Sequence, residues 1–270
     1  GYHFDYIVKN DYVDQPTVAN QIRNIIRELT VKKPEKLTIF CDLDDTICVC
    51  AEYYQAITAK VIQQIKNKIQ IEDSIINNLV DKHVNSFEKR YYTWDDFGRS
   101  LSNLAAESFL VKNQTLQLSE AFLHQIYQLG LSVYDHNYDP LFEDSIERVR
   151  EMKKYGHVVI FTLGDSIEQM KKIAHLRLLD FPIEICTHKD ENMFRHLQAK
   201  YPSEKYVMIG DSYQRDIIPA SLAGIQHLVY VNRKKLQEMD QLDETVDILQ
   251  IDRLNDDLIG YLDRGQGVVR

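Results

Sequence analysis

Residues 37–46 read Leu-Thr-Ile-Phe-Cys-Asp-Leu-Asp-Asp-Thr, an apolar run ending in two carboxylates two positions apart, Asp42 and Asp44, with Thr46 after them. Ile39, Phe40 and Cys41 have the continuous apolar character of a strand buried on both faces. In an open α/β sheet, ligands sit just outside the carboxyl ends of the strands, where Asp42 and Asp44 fall. Two acids at this spacing are common by chance, so the rest of the chain has to support the reading.

Three downstream segments repeat the arrangement of an apolar strand ending in a polar group. Val158-Val-Ile-Phe161 runs into Thr162, and Ile183, Ile185 and Cys186 lead to Lys189. Tyr206-Val-Met-Ile209 ends at Gly210-Asp211-Ser212, and Asp216 follows after three intervening residues. Helical patterns separate these strands, so four strand ends can converge on one pocket of a parallel sheet.

In this order, Asp-x-Asp-x-Thr at 42–46, Thr162, Lys189 and Gly-Asp-Ser-x-x-x-Asp at 210–216 resemble the four motifs of the haloacid dehalogenase-like (HAD) hydrolase superfamily. One departure is that Asp190 and Glu191, rather than a Pro, follow Lys189. The resemblance implies a doubly wound, Rossmann-like α/β core with a parallel sheet. It also implies a chemistry. Asp42 would attack phosphorus to give an aspartyl-phosphate, and Asp44 would protonate the leaving group and then deprotonate the hydrolytic water. Thr162 would donate to a phosphate oxygen, and Lys189 would supply fixed positive charge. Magnesium is the implied cofactor, held by a group of Asp42, Asp44 (through its carbonyl), Asp211 and Asp216, with Asp216 better placed to orient Lys189 or a metal-bound water. In this family an Asp two positions after the nucleophile goes with phosphomonoester hydrolases and phosphomutases rather than with dehalogenases.

Between Thr46 and about Tyr138 there is no credible strand and no Pro, and only Gly98 and Gly130 interrupt the pattern. Four amphipathic helices are expected, at about 51–69, 73–90, 94–111 and 115–129. Tyr54, Ile57, Val61, Ile65 and Ile69 form a stripe on the first; Ile75, Leu79, Val80, Val84 and Phe87 form one on the second. The predicted organisation is an N-terminal helical extension at 1–36, an α/β core at 37–48 and 139–270, and an all-helical insertion at 49–138. That insertion is similar to the helical cap of many phosphatases of the superfamily, which implies a lid over the pocket. Arg90, Tyr92, Trp94 and Arg99, in the densest aromatic and cationic cluster of the chain, are its candidate substrate-binding residues.

Composition sets the outer bounds. With 270 residues, 44% hydrophobic and 27% charged, the chain can bury a substantial core. A formal net charge of −9 disfavours a general nucleic-acid binder. No stretch is apolar enough to span a membrane and no signal peptide is visible, so a cytoplasmic protein is expected. The four cysteines lack zinc or disulfide spacing; Cys41 reads as a small buried residue, and Cys48 and Cys50 as pocket neighbours open to oxidation.

The leading expectation is therefore a magnesium-dependent phosphomonoester hydrolase acting on a small phosphorylated metabolite. The alternatives are a protein (phosphotyrosine) phosphatase with an open cap, a phosphomutase and, last, a non-catalytic interaction module.

Overall fold

The computed structural model describes residues 35–85, 95–136, 138–233 and 247–265. The helix expected within residues 1–36 falls almost wholly outside this set.

Six parallel strands form the sheet: β1 (Glu35–Cys41), β2 (His157–Leu163), β3 (Ile183–Cys186), β4 (Ser203–Gly210), β5 (His227–Val231) and β6 (Asp247–Ile251). Their spatial order is β3-β2-β1-β4-β5-β6, so the winding reverses between β1 and β4. A reversal of this kind opens a crevice at the carboxyl ends of the two central strands. Cys41 is in register with Ile209, and the Asp42 amide donates to the Ile209 carbonyl at 2.9 Å. That register brings Asp42 and Asp211 together from opposite sides of the reversal.

Both faces of the sheet are buried, which explains why its strands read as nearly unbroken apolar runs. Leu37, Ile39, Cys41, Val158, Ile160, Val207, Ile209, Val229 and Val231 pack on one side. Phe40, Val159, Phe161, Met208, Leu228 and Tyr230, offset by one position, pack on the other. Each such side chain contributes about 1.5–3 kcal/mol when fully buried.

Among the described residues, four α-helices follow β1 before the chain returns to the sheet: α1 (Ala51–Lys68), α2 (Asp73–His83), α3 (Asp96–Val111) and α4 (Glu120–Leu131). Ile57, Val61 and Ile65 of α1 meet Ile76 and Leu79 of α2, Leu101, Leu104 and Phe109 of α3, and Ile126 of α4 in a core of their own. Gly98 and Gly130 do not break these helices. They lie inside α3 and α4, where a Cβ on Gly130 would come within 2.5 Å of the Gly98 Cα, so they allow the two backbones to touch. The predicted second helix, 73–90, reaches His83, and its final part lies outside the described residues. The predicted fourth helix splits into a single 3-10 turn at Thr115–Gln117 and α4, whose first turn is capped by the Ser119 side chain accepting from the Phe122 amide.

The links between cap and core run side by side. The Val49 amide donates to the Asp139 carbonyl and the Leu141 amide to the Ile47 carbonyl, at 3.0 and 2.7 Å. Tyr53 and Tyr54 pack against both the cap core and the sheet core. The chain then continues through α5 (Ser145–Met152), α6 (Ser166–His175), α7 (Glu191–Lys200), α8 (Ile218–Leu222) and α9 (Asp256–Gly265) around the sheet. Among the described residues, no helix is long and apolar enough to cross a membrane.

Candidate active site

A cavity of about 380 Å³ lies where the cap meets the carboxyl ends of the strands, and Asp42, Asp44, Lys189, Asp211 and Asp216 are all on its wall. Asp42 comes off the end of β1 and is only 5% exposed. Lys189, in the loop between β3 and α7, donates to Asp42 Oδ1 at 2.5 Å and to Asp216 Oδ1 at 2.7 Å. The Thr46 hydroxyl donates to Asp42 Oδ2 at 3.3 Å. Burial pushes the Asp42 carboxyl up to about 7 despite the opposing pull of Lys189, and the Asp216 and Asp44 carboxylates add to the rise. Burial alone would disfavour the Lys189 ammonium, but Asp216 and Asp42 outweigh it and hold its pKa above the usual range.

Asp216 sits in the turn Tyr213–Ile217, with one oxygen on Lys189 and the other accepting from the Ser212 amide at 3.0 Å. Gly210 is what admits it, since a Cβ there would come within 2.3 Å of Asp216 Oδ2. With both oxygens engaged, Asp216 is placed mainly to orient Lys189. Asp211 is half-buried, and burial together with the neighbouring Asp42 carboxylate drives its pKa well above the ordinary carboxylate value. One carboxylate oxygen each from Asp42, Asp211 and Asp216 lie within 4.8 Å of one another. Hard oxygen donors converging in this way fit a hard divalent cation.

Thr162 ends the apolar run of β2. Its hydroxyl is fully buried and has no hydrogen-bond partner. An orphaned buried hydroxyl at a strand end is costly unless something completes it, and a phosphate oxygen is a suitable acceptor.

Asp44 is held by residues that sequence reasoning did not single out. Lys172 Nζ lies 2.9 and 3.1 Å from its two oxygens, and the Gln169 amide donates to Oδ2 at 2.8 Å. Lys172 is 1% exposed, with Glu168 at 2.8 Å on its other side and the Tyr138 ring beneath the ammonium at 4.6 Å. Burial pushes the Asp44 carboxyl up, but Lys172 and Gln169 outweigh it and the net shift is downward. Glu168 Oε1 in turn accepts from Tyr54 of α1 at 3.0 Å and from Tyr138 of the return link at 2.9 Å. Asp44, next to Asp42, is thus joined through one ion pair to both ends of the cap.

Asp45 is a further residue of the first motif with work of its own. It adopts a φ of 56°, which Asp tolerates better than most residues, and its carboxylate accepts from the Cys50 and Ala51 amides at the start of α1 and from Arg233. It anchors the first cap helix to the core.

Of the proposed substrate-binding residues, Arg90, Tyr92 and Trp94 lie outside the described residues. Arg99 is exposed on α3 and paired with Asp95 at 2.5 Å, and it is not on the cavity wall. Cys48 and Cys50 are buried, and burial pushes both thiols well above their usual pKa. Since the thiolate is the reactive form, the expected ease of oxidation does not fit this environment.

A doubly wound sheet with a carboxylate nucleophile candidate at its reversal point, a buried lysine on it and a helical cap above defines a capped α/β hydrolase. The family model for haloacid dehalogenase-like hydrolases matches residues 37–224, and the chain belongs to that family. No curated protein matches the sequence. Among solved structures, a haloacid dehalogenase-like family hydrolase from Xanthomonas campestris is similar at 19% identity with a TM-score of 0.69, over 87% of this chain and 95% of that one. A 2-haloacid dehalogenase from Pseudomonas syringae is similar at 19% identity and 0.51, over 85% and 98%. A protein described as a beta-phosphoglucomutase from Thermotoga maritima is similar at 14% and 0.54, over 87% and 100%. At these identities the likeness establishes the shared fold, which hosts several reactions.

Proposed function

We propose that this hydrolase cleaves phosphomonoesters through an aspartyl-phosphate on Asp42, with magnesium as the cation. The observation that carries the reading is Asp44, on the same cavity wall as Asp42 and fixed by Lys172 and Gln169. A halide leaves without a proton, whereas an alkoxide leaving phosphorus needs one, so a positioned carboxyl beside the nucleophile has work in phosphate ester cleavage and none in dehalogenation.

The Asp42 carboxylate attacks phosphorus in line with the ester oxygen. The O–P bond to Asp42 forms as the P–O bond to the alcohol breaks, and Asp44 gives its proton to the departing oxygen. A phosphate dianion beside Asp44 raises the proton affinity that Lys172 depresses, which readies the group for this step. Asp44, now a carboxylate, takes a proton from water as that water attacks phosphorus and the P–O bond to Asp42 breaks, its electron pair returning to the carboxylate. Inorganic phosphate leaves, and Asp42 is free again. Lys189 stays against Asp42 throughout, and the Thr162 hydroxyl and Lys189 ammonium face the equatorial phosphate oxygens. A magnesium ion held by Asp42 and Asp211, with the Asp44 carbonyl, would neutralise the approach of the dianion to the carboxylates.

The test is phosphate release from p-nitrophenyl phosphate with magnesium and with chelator, for the wild type and Asp42→Asn. Magnesium-dependent turnover lost by at least about 10⁴-fold in Asp42→Asn is the expected result. Equal rates for the two proteins would remove Asp42 from the reaction, and chloride release from a 2-chloroacid would move the reading to dehalogenation.

A further inference from the structure

The cavity does not stop at the carboxylates. It continues along one face of α1, where Ala51, Tyr54, Gln55, Thr58, Ala59 and Ile62 line it. Their spacing of three and one is that of a single helical face, and the eleven steps from Ala51 to Ile62 span about 16 Å along the helix. Val80 of α2, Val84 just beyond its end, Phe97 and Leu163 also line the cavity. Tyr54, Ile62, Val80 and Val84 pack against the cap core and are only partly buried, so among the described residues they present apolar surface to the cavity.

Among the described residues, the polar side chains along the arm are few: the exposed Gln55 amide, and Thr58, Tyr54 and Asn85, which are already bonded. The Thr58 hydroxyl donates to the Tyr54 carbonyl at 2.9 Å, the Tyr54 hydroxyl is bound to Glu168, and the Asn85 amide donates to Asp81 at 2.5 Å. Among the described residues, the cations on the cavity wall are Lys189 and Arg215, both from the core end where the carboxylates lie. A sugar hydroxyl or second phosphate entering the arm would lose water without gaining comparable partners, whereas an apolar group would gain by its burial.

Building on the hydrolase reading, we propose that the substrate is a phosphomonoester of an apolar alcohol, alkyl or aryl, with its phosphate at Asp42 and its carbon skeleton along α1. The reaction is the one already written: the P–O bond to this alcohol breaks, the proton from Asp44 goes to its oxygen, and water supplies the oxygen that phosphate keeps.

Binding of n-alkylphosphonates, which have no ester bond to cleave, tests the arm separately from catalysis. Calorimetry with the full chain and magnesium, from methyl- to octylphosphonate, is expected to show Kd falling by up to about fourfold per methylene until the arm is full, at about 0.8 kcal/mol per buried CH₂. The heat-capacity change should grow more negative along the series. Phenyl- and naphthylphosphonate separate an aryl from an alkyl preference. Ile62→Asp and, at an exposed position, Ala59→Arg should each flatten the ratio of octyl to methyl affinity. An affinity independent of chain length, or tighter binding of glucose 6-phosphate than of every alkyl and aryl ligand, would overturn the proposal. Failure of the phosphatase assay beside a steep chain-length series would overturn the hydrolase reading and leave the apolar arm standing.

Discussion

Two buried lysines serve the two motif carboxylates, and they are built differently. Lys189 comes from a loop beyond β3 and bridges Asp42 to Asp216, all within the core. Lys172 comes from the middle of α6 and bridges Asp44 to Glu168, whose carboxylate is bound by tyrosines at both ends of the cap. In the proposed reaction the first assembly concerns the atom that bonds to phosphorus, and the second the proton and the position of the cap helices. Buried ion pairs add little net stability, but removing one partner leaves a charge unmatched and costs about 3–5 kcal/mol. Both lysines should therefore look alike in a stability assay and differ in catalysis.

Lys189→Met is expected to have the largest effect. It removes the positive charge facing the nucleophile, so kcat should fall by about 10²–10³-fold on every phosphate ester, whatever its leaving group. Steady-state rates on p-nitrophenyl phosphate and on an alkyl phosphate check this; a loss confined to one of them would show that Lys189 does not act at the phosphoryl group.

Lys172→Met sharpens the contrast. If Lys172 acts by holding Asp44 for proton donation, the loss should be about 10–100-fold on an alkyl phosphate, a range within that of general acid catalysis, and much smaller on p-nitrophenyl phosphate, whose leaving group needs no proton. Combining it with Glu168→Gln removes the stranded carboxylate, and should recover stability without recovering the alkyl phosphate rate. Equal losses on both substrates would mean that Lys172 only holds the fold together.

The same contrast explains what could be read in the sequence. The Lys189 assembly is written in short motifs at strand ends, so Asp42, Asp211 and Asp216 stood out, together with the doubly wound sheet that their strands imply. The Lys172 assembly is written on a helix whose amphipathicity is inverted. Glu168, Gln169 and Lys172 are buried in α6 while Ile167 is 66% exposed and Met170 also faces outward. An acid and a lysine four apart on a helix ordinarily read as a solvated pair, and a stripe search takes Ile167 and Met170 as the inner face. Ile173, at the same helical spacing and fully buried, makes that stripe look sound, so the sequence carried no clear signal of the buried polar group. Arg99 shows the converse: its aromatic and cationic surroundings in sequence suggested a ligand site, and in the structure it is exposed, paired with Asp95 and away from the cavity wall.

Charge in the first assembly also predicts a pH effect smaller than those of the lysine substitutions. Asp42 has its usual carboxyl pKa near 3.8 in the unfolded chain and about 7 when folded, so between these values the folded protein binds more protons. Without metal, its contribution to stability is present at low pH, declines as pH rises through that window and is lost above about 7. Asp42→Asn should flatten this slope in chelator, as read from Tm between pH 5 and 8. Magnesium competes with those protons and should stabilise most at the alkaline end, by about 5 °C or more at a hundredfold excess over Kd. A magnesium shift as large at pH 5 as at pH 8 would indicate that the ion binds elsewhere.

The smallest expected effect probes the link from Asp44 to the lid. Tyr54→Phe deletes one of the two hydroxyls on Glu168 Oε1 and keeps the ring, which packs edge-on against Phe97 at 4.7 Å. Tyr138 still donates to the same oxygen, so stability should fall by only about 1 kcal/mol. The informative reading is kinetic. Tyr54 lies on the first cap helix and Glu168 on the core, so their bond exists only while the cap rests on the sheet in this arrangement; losing it favours opening. KM for an alkyl phosphate should rise while kcat on p-nitrophenyl phosphate barely changes, and Tyr138→Phe, made on the return link, should reproduce the pattern. A kcat loss on the alkyl phosphate equal to that of Lys172→Met, with p-nitrophenyl phosphate spared, would instead place the tyrosine in the proton-donating assembly itself, and the division between a core lysine for phosphorus and a cap-linked lysine for the proton would no longer hold.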